Sequence, residues 1–389
     1  MSVIGSIYFI VFILLIIFSL ITIDKIGKRY TNLFLLISFV ILVVIAGLRE
    51  GTPDQLSYVY IFENTQSLIS YLVNGPQEQL FRYGFELIDV KPPDGYGYGL
   101  EFGFILLVSV IKSLTANVTI FFIILAAIII GPVVYASKRL SPYPVLSILI
   151  YFSWFYYFNL GALRHALISS LLLLTIVFVV NNKFFITWTM YLISAFLHKV
   201  GLFIGIIYLV EKLKLKPRTY FAILIISFGI AIFGGMFALS FELLSNFLPQ
   251  TWHEKLYLYQ ALSKSGGFDT NFAGSESILK GSTIKQAIII FVSSLYFSAL
   301  RLKFGRSFDI IFGLYISSLI LMLVFIDFKV VSDRISIYLS ISEIILIPMV
   351  LSIVVNRDRK FMLIPIFSLM FIQLSMLYGN QLPLYKMVL

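Results

Sequence analysis

A small set of arginine, histidine, tyrosine and carboxylate side chains lies at the ends of long apolar runs. Side chains of these types could bind an anion and accept a proton. An arginine guanidinium holds phosphate oxygens in a bidentate fork and stays charged at physiological pH. Histidine and carboxylate side chains can accept a proton from a reacting group. Residues of this kind occur in five stretches: Arg49, Asp54 and Tyr58; Glu101; Arg164 and His165; His198 and Lys199; Arg334 and Tyr338.

Two of these stretches have a structural as well as a functional interpretation. In FYYFNLGALRHALISS, Arg164 and His165 open an apolar run. Arg164 either snorkels to lipid headgroups, as arginines at membrane helix ends do, or serves an anion site. In SAFLHKVGLF, His198 and Lys199 lie in a break between two short apolar runs. A histidine there either packs helices through hydrogen bonds or takes part in catalysis.

The stretch DFKVVSDRISIYLSISE sets Arg334 and Tyr338 four residues apart, so that a helix brings them to one face. Glu343 follows deeper in the apolar run, where a carboxylate must be paired, protonated or in contact with water. A simpler interpretation makes Asp333 a helix cap and pairs Arg334 with Asp327.

Helices of a membrane protein must position these side chains. Of the 389 residues, 60% are hydrophobic and 12% are charged. The apolar runs are each about long enough to cross a hydrocarbon core of ~30 Å as a helix. The composition therefore predicts an all-α, polytopic transmembrane helix bundle, with residues 1–389 forming a single integral membrane domain. Residues 3–23 have no preceding basic segment and no small-residue cleavage pattern, which predicts a retained first span.

Charge and cysteine content exclude several classes of function. The chain has no cysteine, which excludes disulfides, thiolate metal sites and cysteine nucleophiles. The net charge of +10 does not indicate nucleic-acid binding, because the basic residues lie in short loops between apolar runs, where they set orientation. The sequence contains no phosphate-binding loop, no H-E-x-x-H pair and no D-x-D pair, so we expect neither a metal nor another cofactor.

The basic clusters predict the topology. They should face the cytoplasm, and they lie at residues 25–29, 138–139, 183, 212–218, 301–306 and 357–360. This placement makes residues 49–101 an external loop with interfacial helices, makes residues 242–283 a second external loop, and gives about twelve spans.

Under this topology, two apolar segments are not expected to cross the membrane once each. Residues 102–114 are expected to form a re-entrant or interfacial helix. Residues 184–210 are expected to cross twice, with a bend near His198. Within the first external loop, Leu56 to Val73 has helical apolar spacing and is either a lid over a site or a cover for the bundle.

The topology places Arg49, Arg164, His198 and Arg334 at external helix ends. Three arginines from distant segments on one side of a membrane predict a shared anion, and an anion of lipid origin suggests a lipid-linked phosphate or diphosphate. Aromatic groups such as FYYF at 155–158 and YGYG at 96–99 either stack on sugars or form an interfacial belt.

Five motifs resemble those of the EpsG-like, Wzy-type bacterial polysaccharide polymerases. GLREGTPDQLSY is similar to the family's L-R-x-G-x-x-x-D-x-x-x-Y signature, and LEFGF to its E-P-G-[FY] element. NLGALRHAL resembles N-x-x-R-Q-x-x-A, AFLHKVGL resembles H-x-[ST]-[AG]-L, and DRISIY resembles R-[LI]-x-x-Y. The chain departs from these patterns at Phe102, His165, Lys199 and Val200.

The resemblance implies a GT-C-like, Wzy-type fold and a metal-independent glycosyltransferase on the external face of the bacterial cytoplasmic membrane. It would move a growing glycan from undecaprenyl diphosphate to the non-reducing end of a lipid-linked repeat unit. Its partners would be these two lipid-linked oligosaccharides and membrane lipid, with a chain-length regulator as a candidate protein partner. A lipid-linked oligosaccharide flippase and an O-antigen ligase are the alternatives.

On this interpretation the candidate residues take three roles. The candidate bases are Asp54, His198 and Glu101, in that order of preference. The diphosphate would be bound by Arg49, Arg164, Arg334 and Tyr338. Further candidates, from their places within or beside the motifs, are Tyr58, His165 and Lys199.

Overall fold

The structure is a computed structural model, and it describes residues 3–23, 27–50, 52, 54–74, 88–90, 98–232, 278, 280–326, 329–353, 363–364, 366–372 and 386–387. The chain divides into two compact units: Met1–Gly205 with Ile347–Leu389, and Ile206–Leu346. Each unit is described by itself.

The first unit is built from helices of very different length. In chain order they are α1 (Val3–Ile23), a 3-10 turn (Gly27–Tyr30), α2 (Thr31–Gly47), α3 (Gln55–Asn64), α4 (Leu68–Asn74), α5 (Phe102–Leu114), α6 (Val118–Leu140), α7 (Pro144–Tyr151), a π-helical segment (Phe152–Tyr156), α8 (Tyr157–Gly161), α9 (Leu163–Val180), α10 (Phe184–Leu197) and a 3-10 helix (Lys199–Gly205). Residues 366–372 are also helical.

Two short antiparallel ribbons accompany these helices. Strand β1 (Arg49–Glu50) pairs with β4 (Lys386–Met387), and β2 (Ile88–Val90) pairs with β3 (Tyr98–Leu100). The second ribbon ends immediately before Glu101.

Seven helices begin in the described part of the second unit. They are α11 (Ile206–Leu213), α12 (Pro217–Ile232), α13 (Gly281–Leu295), α14 (Phe297–Phe304), α15 (Arg306–Val324), α16 (Lys329–Ser340) and α17 (Glu343–Leu351). Helix α15 is its centre and packs against α12, α13 and α16.

Within the described ranges, five helices are long and apolar enough to cross a membrane, and the number is six if the bent pair α13 and α14 is one span. The five are Gly27–Gly47, Val118–Leu140, Leu163–Val180, Arg306–Val324 and Arg334–Leu351. Shorter apolar helices of 10–17 residues accompany them. The all-helical, membrane-spanning character predicted from composition is therefore present, while the count of about twelve spans and the GT-C-like class stay predictions.

The core of the first unit surrounds α6, which packs against α2 and α9. Asn117 starts α6, because its side-chain oxygen accepts the Ile120 N–H at 3.1 Å. The hydroxyl of Tyr156, in the π-helical segment, donates to the Leu42 carbonyl at 2.6 Å and so ties that segment to α2. These contacts fix the helices from which the candidate site is built.

Two local expectations can be compared with the backbone. Helix α5 has 13 residues, which corresponds to ~20 Å and is less than a hydrocarbon core requires. Its length agrees with the expected re-entrant or interfacial role. The expected break near His198 is present, because α10 ends at Leu197 and His198 has extended backbone angles. The double crossing of residues 184–210 stays a prediction, and the second external loop, 242–283, lies mostly outside the described residues.

Candidate functional site

Glu101 occupies the N-terminal end of α5, and a close helix contact holds it there. Its extended backbone precedes the helix, and its carbonyl accepts the N–H groups of Phe104 and Ile105. Gly103 lies so near the backbone carbonyl of Phe196 that a Cβ atom would overlap it. This close approach brings the start of α5 to the last turn of α10.

His198 is presented by a sharp reversal of the chain after α10. Its N–H donates to the Ser194 carbonyl at 3.0 Å, which closes the helix. The following 3-10 helix folds back on α10, and Gly201 meets the Ser194 backbone so closely that a side chain there would overlap it. The imidazole therefore sits at the tip of a tight helical hairpin.

Arg164 lies in the first turn of α9, just after a break in the helix. Helix α8 ends at Gly161, and Ala162 leaves helical geometry with φ −111° and ψ 67°. The break restarts the helix at Leu163 and places Arg164 at its exposed end, with 18% of its side chain accessible.

A single carboxylate joins these three elements. Oε2 of Glu101 lies 2.9 Å from Nη1 of Arg164, and Oε1 lies 2.6 Å from Nδ1 of His198. The Glu101 side chain is 10% exposed and that of His198 is 17% exposed, so the cluster is mostly buried but keeps some access to solvent. Residues 63 and 97 positions apart thus form one polar site, named here the Glu101 cluster (Glu101, Arg164 and His198).

The pKa of Glu101 shows which member of the cluster can act as a base. Burial alone would raise this pKa, but the hydrogen bond and charge of His198, together with the charge of Arg164, outweigh burial and lower the pKa to about 2. Glu101 is therefore ionised at neutral pH and accepts hydrogen bonds only. An ionised carboxylate only accepts, so the 2.6 Å contact assigns a proton to Nδ1 of His198. When the imidazole is neutral, Nε2 is then its unprotonated nitrogen.

Two of the further candidates contribute to this cluster. The hydroxyl of Tyr58, on the buried face of α3, accepts the backbone N–H of Arg164 at 3.4 Å. The backbone N–H of Lys199 donates to Oε1 of Glu101 at 3.4 Å, while its side chain is exposed. His165, in contrast, is 5% exposed and packs edge-on against Phe158 at 5.7 Å.

Arg49 occupies a different environment in the first unit. It is 3% exposed, its Nη1 donates to the Ala46 carbonyl, and its guanidinium lies 4.9 Å from the centre of the Phe122 ring. It lines a small pocket with Tyr156 and with Leu163, the residue before Arg164. Arg49 is therefore packed into the protein beside α9, and its role as a diphosphate ligand stays a prediction.

Asp54 differs from Arg49 and Arg164 in backbone conformation and in solvent exposure. It has a left-handed conformation, with φ 61°, at the start of α3, and its side chain is exposed. Such a conformation is uncommon for a residue with a side chain, and aspartate tolerates it better than most. The structure does not place Asp54 in the Glu101 cluster, and its role as a base stays a prediction.

Arg334 and Tyr338 belong to the second unit, on α16. Arg334 is exposed, whereas Tyr338, one turn further along, is fully buried. The helical spacing predicted from the sequence is present, but the two side chains differ in access to solvent. Their joint binding of a diphosphate with Arg164 stays a prediction.

Glu343, for which no ion-pair partner was predicted from the sequence, has one in the structure. Lys285 Nζ lies 2.7 Å from Oε1 of Glu343, and the Tyr315 hydroxyl donates to Oε2 at 2.8 Å. Glu343 is fully buried and follows a turn at residues 341–342 that interrupts the span Arg334–Leu351. The carboxylate is thus paired inside the membrane segment, as its depth requires.

Lys112, the one charged residue of α5, was not among the residues expected to matter. Its Nζ donates to the carbonyls of Phe62 and Glu63 at 2.6 and 2.5 Å, at the C-terminal end of α3. Ser109 of the same helix donates to the Gln66 carbonyl at 2.7 Å. These bonds tie α5 to the connection between α3 and α4, and the lysine within an apolar run was the signal available from sequence.

The described residues gather no group of three or more histidine, aspartate or glutamate side chains that could hold a metal ion. The chemistry that the Glu101 cluster offers is proton transfer at His198 and contact with an anion at Arg164.

Comparison with known proteins assigns the chain to a family. No curated protein and no solved structure matches it. The model of the EpsG family matches residues 32–387, a range that includes every member of the Glu101 cluster. This match covers nearly the whole chain, and we conclude that the protein belongs to the EpsG family.

Proposed function

We propose that the protein is a polysaccharide polymerase that transfers a growing glycan from undecaprenyl diphosphate to the non-reducing end of a lipid-linked repeat unit. The family assignment indicates a polymerase-type role in general, and the apolar helices indicate a multi-pass membrane protein. The reaction would take place on the external face of the cytoplasmic membrane, and it requires no nucleotide because the donor sugar is already activated.

The observation that carries this proposal is the bridging of His198 and Arg164 by Glu101. Transfer from a diphosphate needs a base for the acceptor hydroxyl and a cation for the leaving group. The cluster contains both, and its carboxylate orients the imidazole through Nδ1 in the way that a third group orients a catalytic base.

In the proposed reaction, Nε2 of His198 takes the proton of the acceptor hydroxyl while its oxygen attacks the anomeric carbon of the donor. The bond between that carbon and the diphosphate oxygen breaks, and the lipid diphosphate leaves with the electron pair. Arg164 is 18% exposed, which is sufficient for its guanidinium to meet an oxygen of the leaving group. One well-placed donor of this kind contributes about 3 kcal/mol to transition-state stabilisation.

This assignment changes the order of the candidate bases. Glu101, with its pKa lowered to about 2, is too weak a base at neutral pH and is better suited to hold and charge-balance the imidazole. His198 takes first place because Glu101 engages its Nδ1, which leaves Nε2 as the nitrogen that would take the acceptor's proton. Asp54 is the competing base, and the experiment below separates the two.

The test uses purified protein in lipid nanodiscs with a defined lipid-linked repeat unit, and it measures product length and rate. We expect Arg164→Ala to lower the rate by about 10²-fold or more, and Arg164→Lys to restore little because the bidentate fork is lost. Arg139→Ala is the matched control, since Arg139 is an exposed arginine that stacks on Tyr135. Wild-type chain length from Arg164→Ala would refute the proposal.

The base is tested by pH profiles. His198→Gln should abolish the dependence of the rate on pH near neutrality, and Asp54→Asn should keep it. The opposite result would make Asp54 the base.

In cells, deletion of the gene for this protein should leave single lipid-linked repeat units on the external face of the membrane. Units trapped on the cytoplasmic face would indicate a flippase, and unattached full-length polymer would indicate a ligase.

A further inference from the structure

The second unit has a marked surplus of positive charge at the helix ends of α11, α12, α14 and α15. Residues 206–220 and 297–312 contain seven lysines and arginines and only two carboxylates. Each carboxylate already has an arginine: Glu211 pairs with Arg306, and Asp309 pairs with Arg301 at 3.2 Å. Seven cations and two carboxylates give these segments a net charge of +5.

Part of this charge surrounds a small cleft with an aromatic floor. The residues that line it and matter here are Lys214, Arg301, Asp309, Tyr220, Phe297 and Phe312, and we call it the Lys214 cleft. Phe297 and Tyr220 both meet the Phe312 ring edge-on, at 5.6 and 5.9 Å between ring centres. The floor is thus apolar, while the rim carries two cations and one carboxylate.

The rim is arranged so that its cations reach solvent. Lys214 is exposed and has a left-handed backbone, with φ 42°, just after α11 ends. The Arg301 side chain is 49% exposed, and Asp309 engages it through Nε, the nitrogen nearest the backbone. The net charge of the rim is +1, which matches a monoanionic phosphodiester.

Three leucines that are next in sequence to residues of the cleft are exposed as well. Leu209 is 55% exposed, Leu213 51% and Leu302 91%. A basic rim with an apolar floor and apolar neighbours is the combination that suits a lipid headgroup at a membrane surface, because the phosphate meets the cations while the glycerol and acyl chains meet the apolar groups. Free phosphate would use only the rim.

We infer that the Lys214 cleft binds the phosphodiester headgroup of an anionic phospholipid. The basic clusters were expected to face the cytoplasm, so the lipid would belong to the inner leaflet. This site is separate in chemistry from the proposed polymerase reaction, since it recognises a structural lipid and not a sugar donor.

The inference is tested by counting the lipid that stays bound to purified protein. Protein from nanodiscs of phosphatidylglycerol or phosphatidylcholine is analysed by native mass spectrometry. We expect phosphatidylglycerol to be retained and phosphatidylcholine to be lost. Lys214→Ala and Arg301→Ala should each lower the affinity for phosphatidylglycerol about fivefold, which is the effect of one cation at a membrane surface.

Two controls make the result decisive. Lys138→Ala removes an exposed lysine of another basic cluster and should leave retention unchanged. Arg301→Ala combined with Asp309→Asn leaves no carboxylate unpaired and keeps the rim at +1, and it should still weaken retention, because one of the two cations that would contact the phosphate is lost. Equal retention of both lipids, an equal effect of Lys138→Ala, or displacement by millimolar inorganic phosphate would each overturn the inference.

Discussion

Replacing Glu101 by glutamine tests the electrostatics of the Glu101 cluster directly. The substitution keeps the size of the side chain and removes the negative charge of the carboxylate that contacts both His198 and Arg164. Because the pKa of Glu101 falls from 4.5 to about 2, folding favours the ionised carboxyl. A shift of this size corresponds to about 3 kcal/mol at pH 7. The side chain is 10% exposed, so solvent screening lowers this figure only modestly.

The sign of the shift fixes the pH window. A carboxyl whose pKa is lower in the folded chain stabilises the fold fully above the unfolded value of 4.5, and this contribution disappears as the pH falls through about 2. At pH 3 about 1 kcal/mol should remain. The difference in stability between wild type and Glu101→Gln should therefore shrink by about 2 kcal/mol between pH 7 and pH 3.

The assay is denaturant-induced unfolding in detergent micelles, measured for both proteins at several pH values. Glu63→Gln is the control, because Glu63 is an exposed glutamate on α3 outside the cluster. We expect the control to follow wild type at every pH. Equal stability of Glu101→Gln and wild type at pH 7, or curves that stay parallel down to pH 3, would show that the contacts with Arg164 and His198 do not stabilise the ionised carboxylate.

Three further predictions concern the elements around the site. Gly103→Ala should force α5 away from α10, and it should lower activity and stability, whereas Gly229→Ala, with open space around it, should be neutral by thermal unfolding and product assays. Lys112→Met should increase hydrogen exchange in α3 and α4, since two carbonyls lose their donor, while exposed Lys183→Met should not. Tyr315→Phe should destabilise the second unit by about 1–3 kcal/mol in denaturant unfolding, because a buried acceptor loses its donor.

The helical class and the chain breaks could be predicted from sequence because both are local properties. Apolar runs require helices in a bilayer, since only helices satisfy the backbone within one segment. The break at His198 was visible as a polar pair with glycine close behind it. The short length of α5 was visible in the same way, from a brief apolar run that opens with Glu101.

The composition of the site could not be predicted, because it depends on which distant helices meet. Glu101 was considered a base in competition with His198, and nothing within either motif indicates that the two side chains touch. Their contact depends on the approach of α5 to α10 at Gly103. Arg49 illustrates the same limit, since a position at the end of an apolar run does not reveal that the side chain packs inward at 3% exposure.

The position of the Glu101 carboxylate between Arg164 and His198 affects when positive charge develops during the reaction. The proposed chemistry starts from a neutral imidazole, so that the charges of Arg164 and Glu101 cancel and the ring adds none. Under the proposed chemistry, the imidazole becomes positive only when it takes the acceptor's proton. The cluster would therefore become positive as negative charge develops on the departing diphosphate. It would return to zero net charge when the imidazole releases the proton, which would favour dissociation of the lipid diphosphate.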